Sequence, residues 1–320
     1  IQRSVAIDAL TIGEVNRLKA AYVDVSGKGV NVCRVLQRLK IAACCLSQGG
    51  SNADELMLLA QREGLNLHLI PSSGLLRTCT SIIETTTAGG CRVTELIEPS
   101  PTVEAPCIQE ITRTVKALLP TAQALVIAGS MAPGFPADYQ AKLAALARAA
   151  NVPVFLDLQG APLSAAIAEQ PALVKINLSE FVATFLADQF QGGEHSGVLA
   201  QLVLADELLE AVAGVSRQYA TAFVLTRGAR SILIAQGGEV RVVPVTPLAP
   251  SEVFNPIGSG DAFLAGMLAR MIAAAPSVKR CFTLDELAHA SIFATACAQS
   301  NARTARPGFL EDSFALDYRA

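Results

Sequence analysis

With 320 residues, 51% of them apolar and 17% charged, the chain can bury a large core and is not a disordered segment. A formal net charge of −3, with basic residues scattered rather than clustered, argues against nucleic acid and anionic membrane as partners. Any affinity for phosphate must therefore be local.

Residues 5–7 and 20–25 read as short strands. Ser26 to Asn31 then leads into an amphipathic helix over 32–40. In this lead, Gly27 and Gly29 flank Lys28 so that backbone can approach a ligand closely, and Asn31 offers a donor and an acceptor at the helix start. A flexible turn with a solvated lysine fits the same residues. A strand (41–47), a helix (53–63) and a strand (67–70) follow, an alternation that implies a parallel sheet. Segments 78–86 and 91–97, joined around Ala88-Gly89-Gly90, read as a β-hairpin with Arg77 at its base.

The alternation resumes with a helix over 103–119, a strand at 125–128 and the loop Gly129-Ser130-Met131-Ala132-Pro133-Gly134. A helix (137–150) and a strand (154–158) come next. That strand ends at Asp157-Leu158-Gln159-Gly160, on the carboxyl edge where ligands of open α/β sheets collect. Residues 173–176 read as another strand, and Asn177 as N-cap with Glu180 at N3 makes a capping box. Such a cap uses only part of Glu180's acceptor capacity. The polar segment 187–197, with Gly192-Gly193 and a solvent-exposed His195, carries no readable chemistry. A helix over 198–212 precedes strands at 223–226 and 231–235, on either side of Arg227-Gly228, and 284–299 reads as the last helix. No tandem repeat or low-complexity tract is present.

No apolar run approaches the length of a bilayer span, and the greasiest stretch, 263–275, is interrupted by Arg270. The first residues show neither a basic n-region nor an apolar h-region. Eight cysteines include adjacent Cys44 and Cys45 but no C-x-x-C pair, and His68, His195 and His289 are far apart in sequence. The expectation is reduced thiols, buried as small hydrophobes in a cytoplasmic protein, and no zinc site.

Chemistry concentrates at Asn255-Pro256-Ile257-Gly258-Ser259-Gly260-Asp261-Ala262-Phe263, between a predicted strand at 239–245 and the helix over 263–275, which stops at Pro276. Gly258 and Gly260 let the backbone bend tightly, so successive N–H groups can point at one anion. A helix start adds unsatisfied donors and partial positive charge, which suits a phosphoryl group gathering charge in a transition state. Asp261, fixed there, can accept a proton from an attacking hydroxyl. A dinucleotide fingerprint is excluded, because Phe263 takes the last glycine place. A Walker A loop is excluded too, because Gly27-Lys28 is followed by Gly29 and has Tyr22 where the first glycine belongs. An ordinary capped turn can carry the same glycines.

This stretch resembles the Asn-Pro-Thr-Gly-Ala-Gly-Asp-Ser/Ala-Phe signature of the ribokinase-like sugar kinases, the phosphofructokinase-B family. The resemblance extends motif by motif over nearly the whole chain. Gly13-Glu14-Val15-Asn16-Arg17, followed by Ser26-Gly27-Lys28-Gly29-Val30-Asn31-Val32, most resembles the 1-phosphofructokinases and tagatose-6-phosphate kinases. The implied fold is α/β, a ribokinase-like doubly wound, mostly parallel sheet with a small β lid. One kinase domain spans 1–320, and the discontinuous lid is formed by about 1–25 and 77–98.

By the same resemblance, Asp261 is the catalytic base, and the backbone of Gly258, Ser259 and Gly260 is the anion hole. Gly27, Lys28, Asn31, Arg77 and Ser130 fall on the sugar-phosphate side, where the fixed fork of Arg77 suits a phosphate. Lys175-Ile176-Asn177-x-x-Glu180 resembles a Lys-Pro-Asn-x-x-Glu motif whose Asn and Glu organise Mg²⁺ and its waters around the nucleotide phosphates. Thr226 and Gly228 fall against the nucleotide with Lys175 and Asn255, and the last helix walls the adenine pocket. Ile257 and Ser259 replace the usual Thr and Ala, the Ser130 loop is a loosened version, and Ser231 stands for a turn glycine. The register set by 13–17 puts Gln2 where an aspartate normally bonds sugar hydroxyls, and Ile1 inside a turn that the family begins further upstream.

The implied activity is ATP-dependent phosphorylation of a ketohexose phosphate, fructose 1-phosphate to fructose 1,6-bisphosphate. Tagatose 6-phosphate and fructose 6-phosphate are rival substrates, and an inactive sugar-phosphate-binding regulator is the rival class. ATP and Mg²⁺ are the implied cofactors. A small sugar phosphate and a second copy of the chain, docked through the lid, are the implied partners.

Overall fold

Short strands that are apolar throughout, such as Val154 to Leu156 or Ala222 to Leu225, must be covered on both faces, and that demand sets the architecture. The computed structural model describes residues 1–85, 89–188, 206–274 and 281–314. In chain order, β1 (Gln2–Ile7) and β2 (Ala20–Asp24) precede α1 (Lys28–Arg38), and β3 (Cys45–Gln48), α2 (Ala53–Glu63) and β4 (Leu67–Ile70) lead to the hairpin β5 (Cys79–Thr85) and β6 (Cys91–Ile97). Then come α3 (Ala105–Leu118), β7 (Leu125–Ala128), α4 (Tyr139–Ala149), β8 (Val154–Asp157), α5 (Gly160–Ala166), β9 (Leu173–Asn177) and α6 (Leu178–Phe185). The chain continues through α7 (Asp206–Tyr219), β10 (Ala222–Thr226), β11 (Ile232–Gln236), β12 (Glu239–Val243), α8 (Ser259–Ala274) and α9 (Leu284–Ala302).

The main sheet runs β12-β11-β10-β9-β8-β7, parallel from β7 to β10 and antiparallel at β11 and β12. Successive side chains on each strand enter opposite cores. Leu156, Val174 and Phe223 pack with α3 to α7, whereas Phe155, Leu173 and Val224 pack with α1, α8 and α9. β3 and β4 pair in parallel as a separate two-stranded sheet over a satellite core that includes Val30, Cys45 and Leu56. A third sheet, β2-β1-β5-β6, joins the chain's first strands to the hairpin through a parallel β1–β5 pairing. None of the helices in the described residues is long and apolar enough to cross a membrane.

Several boundaries differ from expectation. β1 starts at Gln2, and Ile1 is not in a turn: its amino group donates to the Arg77 carbonyl (3.0 Å) and its own carbonyl accepts from Cys79 N–H (2.9 Å). α1 starts at Lys28, not 32, because Gly27 (φ 139°) turns the chain straight into the helix. α8 likewise takes in Ser259 and Gly260. The helix expected over 198–212 is α7, at Asp206–Tyr219; residues 198–205 and His195 lie outside the described residues. Cys33, Cys45, Cys107 and Cys297 are buried thiols, but Cys44 and Cys281 are exposed, since each lies in a connection ahead of the next element.

Candidate active site

Strand register aligns Ala128 with Asp157 and Asn177 with Thr226, so polar residues collect where parallel strands end. The chain leaving those ends and the turn before α8 border a cleft of ≈ 1510 Å³. Gly27, Lys28, Asn31, Ser130, Lys175, Asn177, Glu180, Thr226, Gly258, Gly260 and Asp261 line it, together with Gln2 of β1 and Arg77 at the foot of β5. Ser259, Gly228 and Asn255 do not. Ser259 Oγ accepts from Asn301 Nδ2 (3.2 Å), and Gly228 is exposed in the β10–β11 turn at φ 62°. Asn255, expected beside the nucleotide, is fully buried beneath the loop: Oδ1 accepts from Ile257 N–H (3.0 Å) and Nδ2 donates to the Ala305 carbonyl (3.0 Å). It shapes the turn, as asparagine does when it bonds backbone two residues on.

Gly258 has φ 83°, and a Cβ there would stand 2.7 Å from the Gly308 nitrogen. The turn is therefore clamped against Pro307 and Gly308. Ala262 N–H begins the α8 ladder by donating to the Gly258 carbonyl (2.9 Å). Among the described residues, the N–H groups of Gly258, Gly260 and Asp261 find no protein acceptor. At Gly260, a Cβ would lie 2.7 Å from Lys175 Nζ, so the glycine lets an ammonium rest against the helix mouth. Free N–H groups and a lysine thus converge where an anion can sit.

The charges alternate. Asp157, 2% exposed at the end of β8, holds Lys28 Nζ on Oδ1 (2.8 Å) and Lys175 Nζ on Oδ2 (3.0 Å). Burial alone would raise the Asp157 pKa, but the two ammoniums outweigh it and hold the carboxyl below its usual range. Burial likewise opposes the charge on Lys28, and Asp157 overcomes it and raises that pKa. Asp261 behaves differently. It is 6% exposed, and Oδ2 accepts from Asn31 Nδ2 (2.7 Å). Burial first, then the Asp157 charge, push its pKa up to about 6, against the pull of Lys175, Asn31 and Lys28. Oδ1 accepts from no protein donor among the described residues. A buried carboxylate with a pKa near neutrality and one open oxygen is suited to taking a proton.

Asn177 Oδ1 accepts from Glu180 N–H (2.8 Å) and Glu180 Oε2 accepts from Asn177 N–H (3.3 Å), closing the expected capping box. Glu180 Oε1 has no protein donor among the described residues and borders the cleft. Gln2 is 4% exposed, and its Nε2 donates to Ser81 Oγ (2.7 Å).

Three residues that shape the site were not assigned from sequence. Asp157 stood out only as the polar end of an apolar strand. Arg34 lies one turn after Asn31 on α1 and donates to Asn31 Oδ1 (3.1 Å); that i, i+3 spacing is its one sequence signal. Asn301, on α9, donates to the Ile257 carbonyl (2.9 Å) and accepts from Gly308 N–H (2.7 Å), and nothing local marks it.

The fold is shared with known proteins. A family model for the pfkB family carbohydrate kinases matches residues 4–309. A 1-phosphofructokinase of Rhodobacter capsulatus is 27% identical over 280 residues, 84% of this chain and 79% of that protein. The crystal structure of a possible 1-phosphofructokinase from Thermotoga maritima superposes with a TM-score of 0.79 at 20% identity, covering 99% of this chain and 93% of that one. The tetrameric inhibited form of Escherichia coli phosphofructokinase-2 superposes with a TM-score of 0.75 at 19% identity, covering 94% and 90%. At these identities the structural likenesses speak for the fold alone.

Proposed function

The chain belongs to the pfkB family of carbohydrate kinases, and we propose that it phosphorylates a ketohexose phosphate with ATP, converting fructose 1-phosphate to fructose 1,6-bisphosphate. The observation that carries the chemistry is Asp261: buried, raised to a pKa of about 6, and set at a helix mouth where the N–H groups of Gly258, Gly260 and Asp261 have no protein acceptor among the described residues, although the Ser259 N–H, expected in the anion hole, donates to the Pro256 carbonyl (3.2 Å). A sugar hydroxyl against Oδ1 gives its proton to that carboxylate while its oxygen bonds the terminal phosphorus of ATP. The bond from that phosphorus to the leaving ADP oxygen breaks in the same displacement. Charge growing on the transferred group is met by the N–H groups of Gly258 and Gly260, by Lys175 and by the helix dipole. The 1-phosphofructokinase relative supports the choice of sugar.

The residues present fit Mg²⁺ as a largely phosphate-bound and water-bound ion. Glu180 Oε1 is a hard oxygen at the cleft, and among the described residues no cluster of three or more His, Cys, Asp or Glu could cage a metal directly. Asn177 and Glu180 are the residues that would hold it through water. When bound, the ion neutralises nucleotide phosphate charge.

Self-association through the small sheet is part of the proposal. It is supported by exposed Val23 (45%) and Leu96 (56%), which the register places on one face, since a thin sheet with apolar residues in water gains from a partner. Sedimentation showing only monomer at micromolar concentration would count against it.

A coupled ADP-release assay over fructose 1-phosphate, tagatose 6-phosphate and fructose 6-phosphate tests class and substrate together. The highest kcat/KM is expected for fructose 1-phosphate. Phosphosugar binding without ADP release would make the chain an inactive binding protein.

A further inference from the structure

The chemistry above leaves unused a buried cation beside the base. Arg34 is 7% exposed, and its guanidinium is held from several elements. Nε donates to Glu63 Oε2 at the end of α2 (2.7 Å), Nη2 to the Val25 carbonyl and Nη1 to Asn31 Oδ1 (3.1 Å), and the group lies 4.5 Å from the Phe309 ring centroid. Such a fork is pre-organised and does not wander.

Its effect falls on Asn31. A carboxamide keeps its shape when flipped, so its neighbours decide which end is oxygen. Arg34 Nη1 and Ser26 Oγ (3.2 Å) both donate to one end, which must therefore be Oδ1. The NH₂ end is then left facing Asp261 Oδ2 at 2.7 Å. We propose that Arg34 is a positioning residue for phosphoryl transfer: by holding Asn31 Oδ1 it keeps the Asn31 NH₂ on Asp261 Oδ2 and leaves Oδ1 of that carboxylate for the sugar hydroxyl. This rests on the reading of Asp261 as the base.

With Arg34 gone, that end of Asn31 keeps only Ser26 Oγ, which can donate or accept, so the amide can flip whenever Asp261 takes a proton or turns away, and the base is held less firmly. The other groups acting on Asp261 stay in place: Asp157 from β8, Lys175 from β9 and Lys28 at the start of α1. Arg34 reaches Asp261 through the amide: it donates to Asn31 Oδ1 (3.1 Å), and Asn31 Nδ2 donates to the carboxylate (2.7 Å).

The test measures kcat and KM against pH for Arg34→Met, Arg34→Lys, Glu63→Gln, Asn31→Ala and the double variant Asn31→Ala/Arg34→Met. Arg34→Met is expected to lower kcat about tenfold or more, the scale of a misplaced catalytic group, with both KM values changed far less and the acid limb moved to higher pH. Arg34→Lys, which keeps one donor, should recover part of kcat. The double variant should match Asn31→Ala within about twofold, since the arginine acts through the amide. Glu63→Gln breaks the ion pair but keeps an acceptor, so it should cost thermal stability and leave kcat within about twofold. Multiplicative losses in the double variant, or a folded Arg34→Met with wild-type kcat, overturn the proposal. If Arg34→Met does not fold, the cycle is run with Arg34→Lys. If the wild-type chain phosphorylates no sugar phosphate, the activity reading fails by itself. The network is then judged by an NMR titration of the Asp261 carboxyl, which Arg34→Met or Arg34→Lys must move upward; an unmoved titration overturns this inference.

Discussion

Asp261 and Arg77 border the same cleft, but they are held in opposite ways. Asp261 sits under a helix start with Asn31 on one oxygen and with Asp157, Lys28 and Lys175 close enough to set its charge. The Arg77 guanidinium makes no hydrogen bond or ion pair among the described residues, and Ser130 is exposed on its loop. The end proposed for phosphoryl transfer is therefore built before a ligand arrives. In the proposed function Arg77 and Ser130 belong to the sugar end, and their side chains would gain partners from the ligand. Pre-organisation belongs where charge develops, because reorientation there would cost rate at every turnover. At the binding end the same cost appears once, as affinity.

The largest effect should follow from breaking the built end. Asp261→Asn is expected to lower turnover by about two to four orders of magnitude with nucleotide binding intact, the usual range for a lost general base. In the wild type, kcat/KM should fall as pH drops through about 6, where Asp261 takes up its proton. The same raised pKa has a sign for stability. The folded-state value lies above the unfolded one, so the protonated form favours folding below about pH 4, and that contribution is lost as pH rises through 6. A neutral asparagine avoids the loss. Asp261→Asn should thus be more stable than wild type at pH 7, by an order of 1–3 kcal/mol, and show no such gain at pH 4. Denaturant unfolding at the two pH values reads both signs, and a variant equally stable relative to wild type at each would contradict the burial argument.

Asp157→Asn comes next. Asp157 balances two ammoniums, one of them on Lys175, which is 6% exposed, so its removal strands a buried cation and should cost about 3 kcal/mol or more. It also deletes the negative charge that helps raise Asp261, so the acid limb of kcat/KM should move to lower pH. An acid limb that stays in place would separate the lysine clamp from the base.

How much of this was legible follows from the range of each interaction. The apolar strands, the glycine turn into α8 and the Asn177–Glu180 cap are written within a few consecutive residues and are legible there to within about four residues, α8 starting at Ser259 rather than 263 and β3 at Cys45 rather than 41. Asn31 and Asp261 lie 230 positions apart, and Asp157 is 129 from Lys28. No local pattern reports which acid meets which base. Asn255 illustrates the converse: its place in the motif suggested a nucleotide contact, yet its amide is spent on backbone, Ile257 of its own turn and Ala305 after α9. Gln2, at the edge of the sequence pattern, proved to be the first residue of a paired strand.

On the loosely tied end, Arg77→Ala should raise KM for the phosphosugar far more than KM for ATP and leave thermal stability within about 0.5 kcal/mol, because no side-chain partner among the described residues loses a bond. Steady-state kinetics with each substrate varied in turn decides this. Equal damage to both KM values would mean that the two ends of the cleft are not separate.

The smallest effect, and the sharpest for choosing among sugars, concerns Gln2→Asp. The Gln2 amide spends its NH₂ on Ser81 Oγ, and Oε1 has no protein donor among the described residues, so a sugar hydroxyl would meet a neutral acceptor there. An aspartate is one methylene shorter and only accepts when ionised, and the Ser81 hydroxyl can turn to donate to it. A hydrogen bond to the charged group is worth about 1.5–3 kcal/mol against roughly 1 for the neutral one, so sugars that differ in the hydroxyl at this point should be separated more strongly. The site is 4% exposed, which raises the pKa of the introduced carboxyl. Discrimination should therefore grow with pH as that carboxyl ionises, whereas the wild-type ratio, read by an amide, should not follow that titration. The kcat/KM ratio of fructose 1-phosphate to tagatose 6-phosphate is expected to shift by about threefold or more at pH 8 and by less at pH 6. A ratio that matches wild type at both pH values would mean that Gln2 borders the cleft without reading the sugar, and that discrimination lies with Lys28, Asn31 and Arg77.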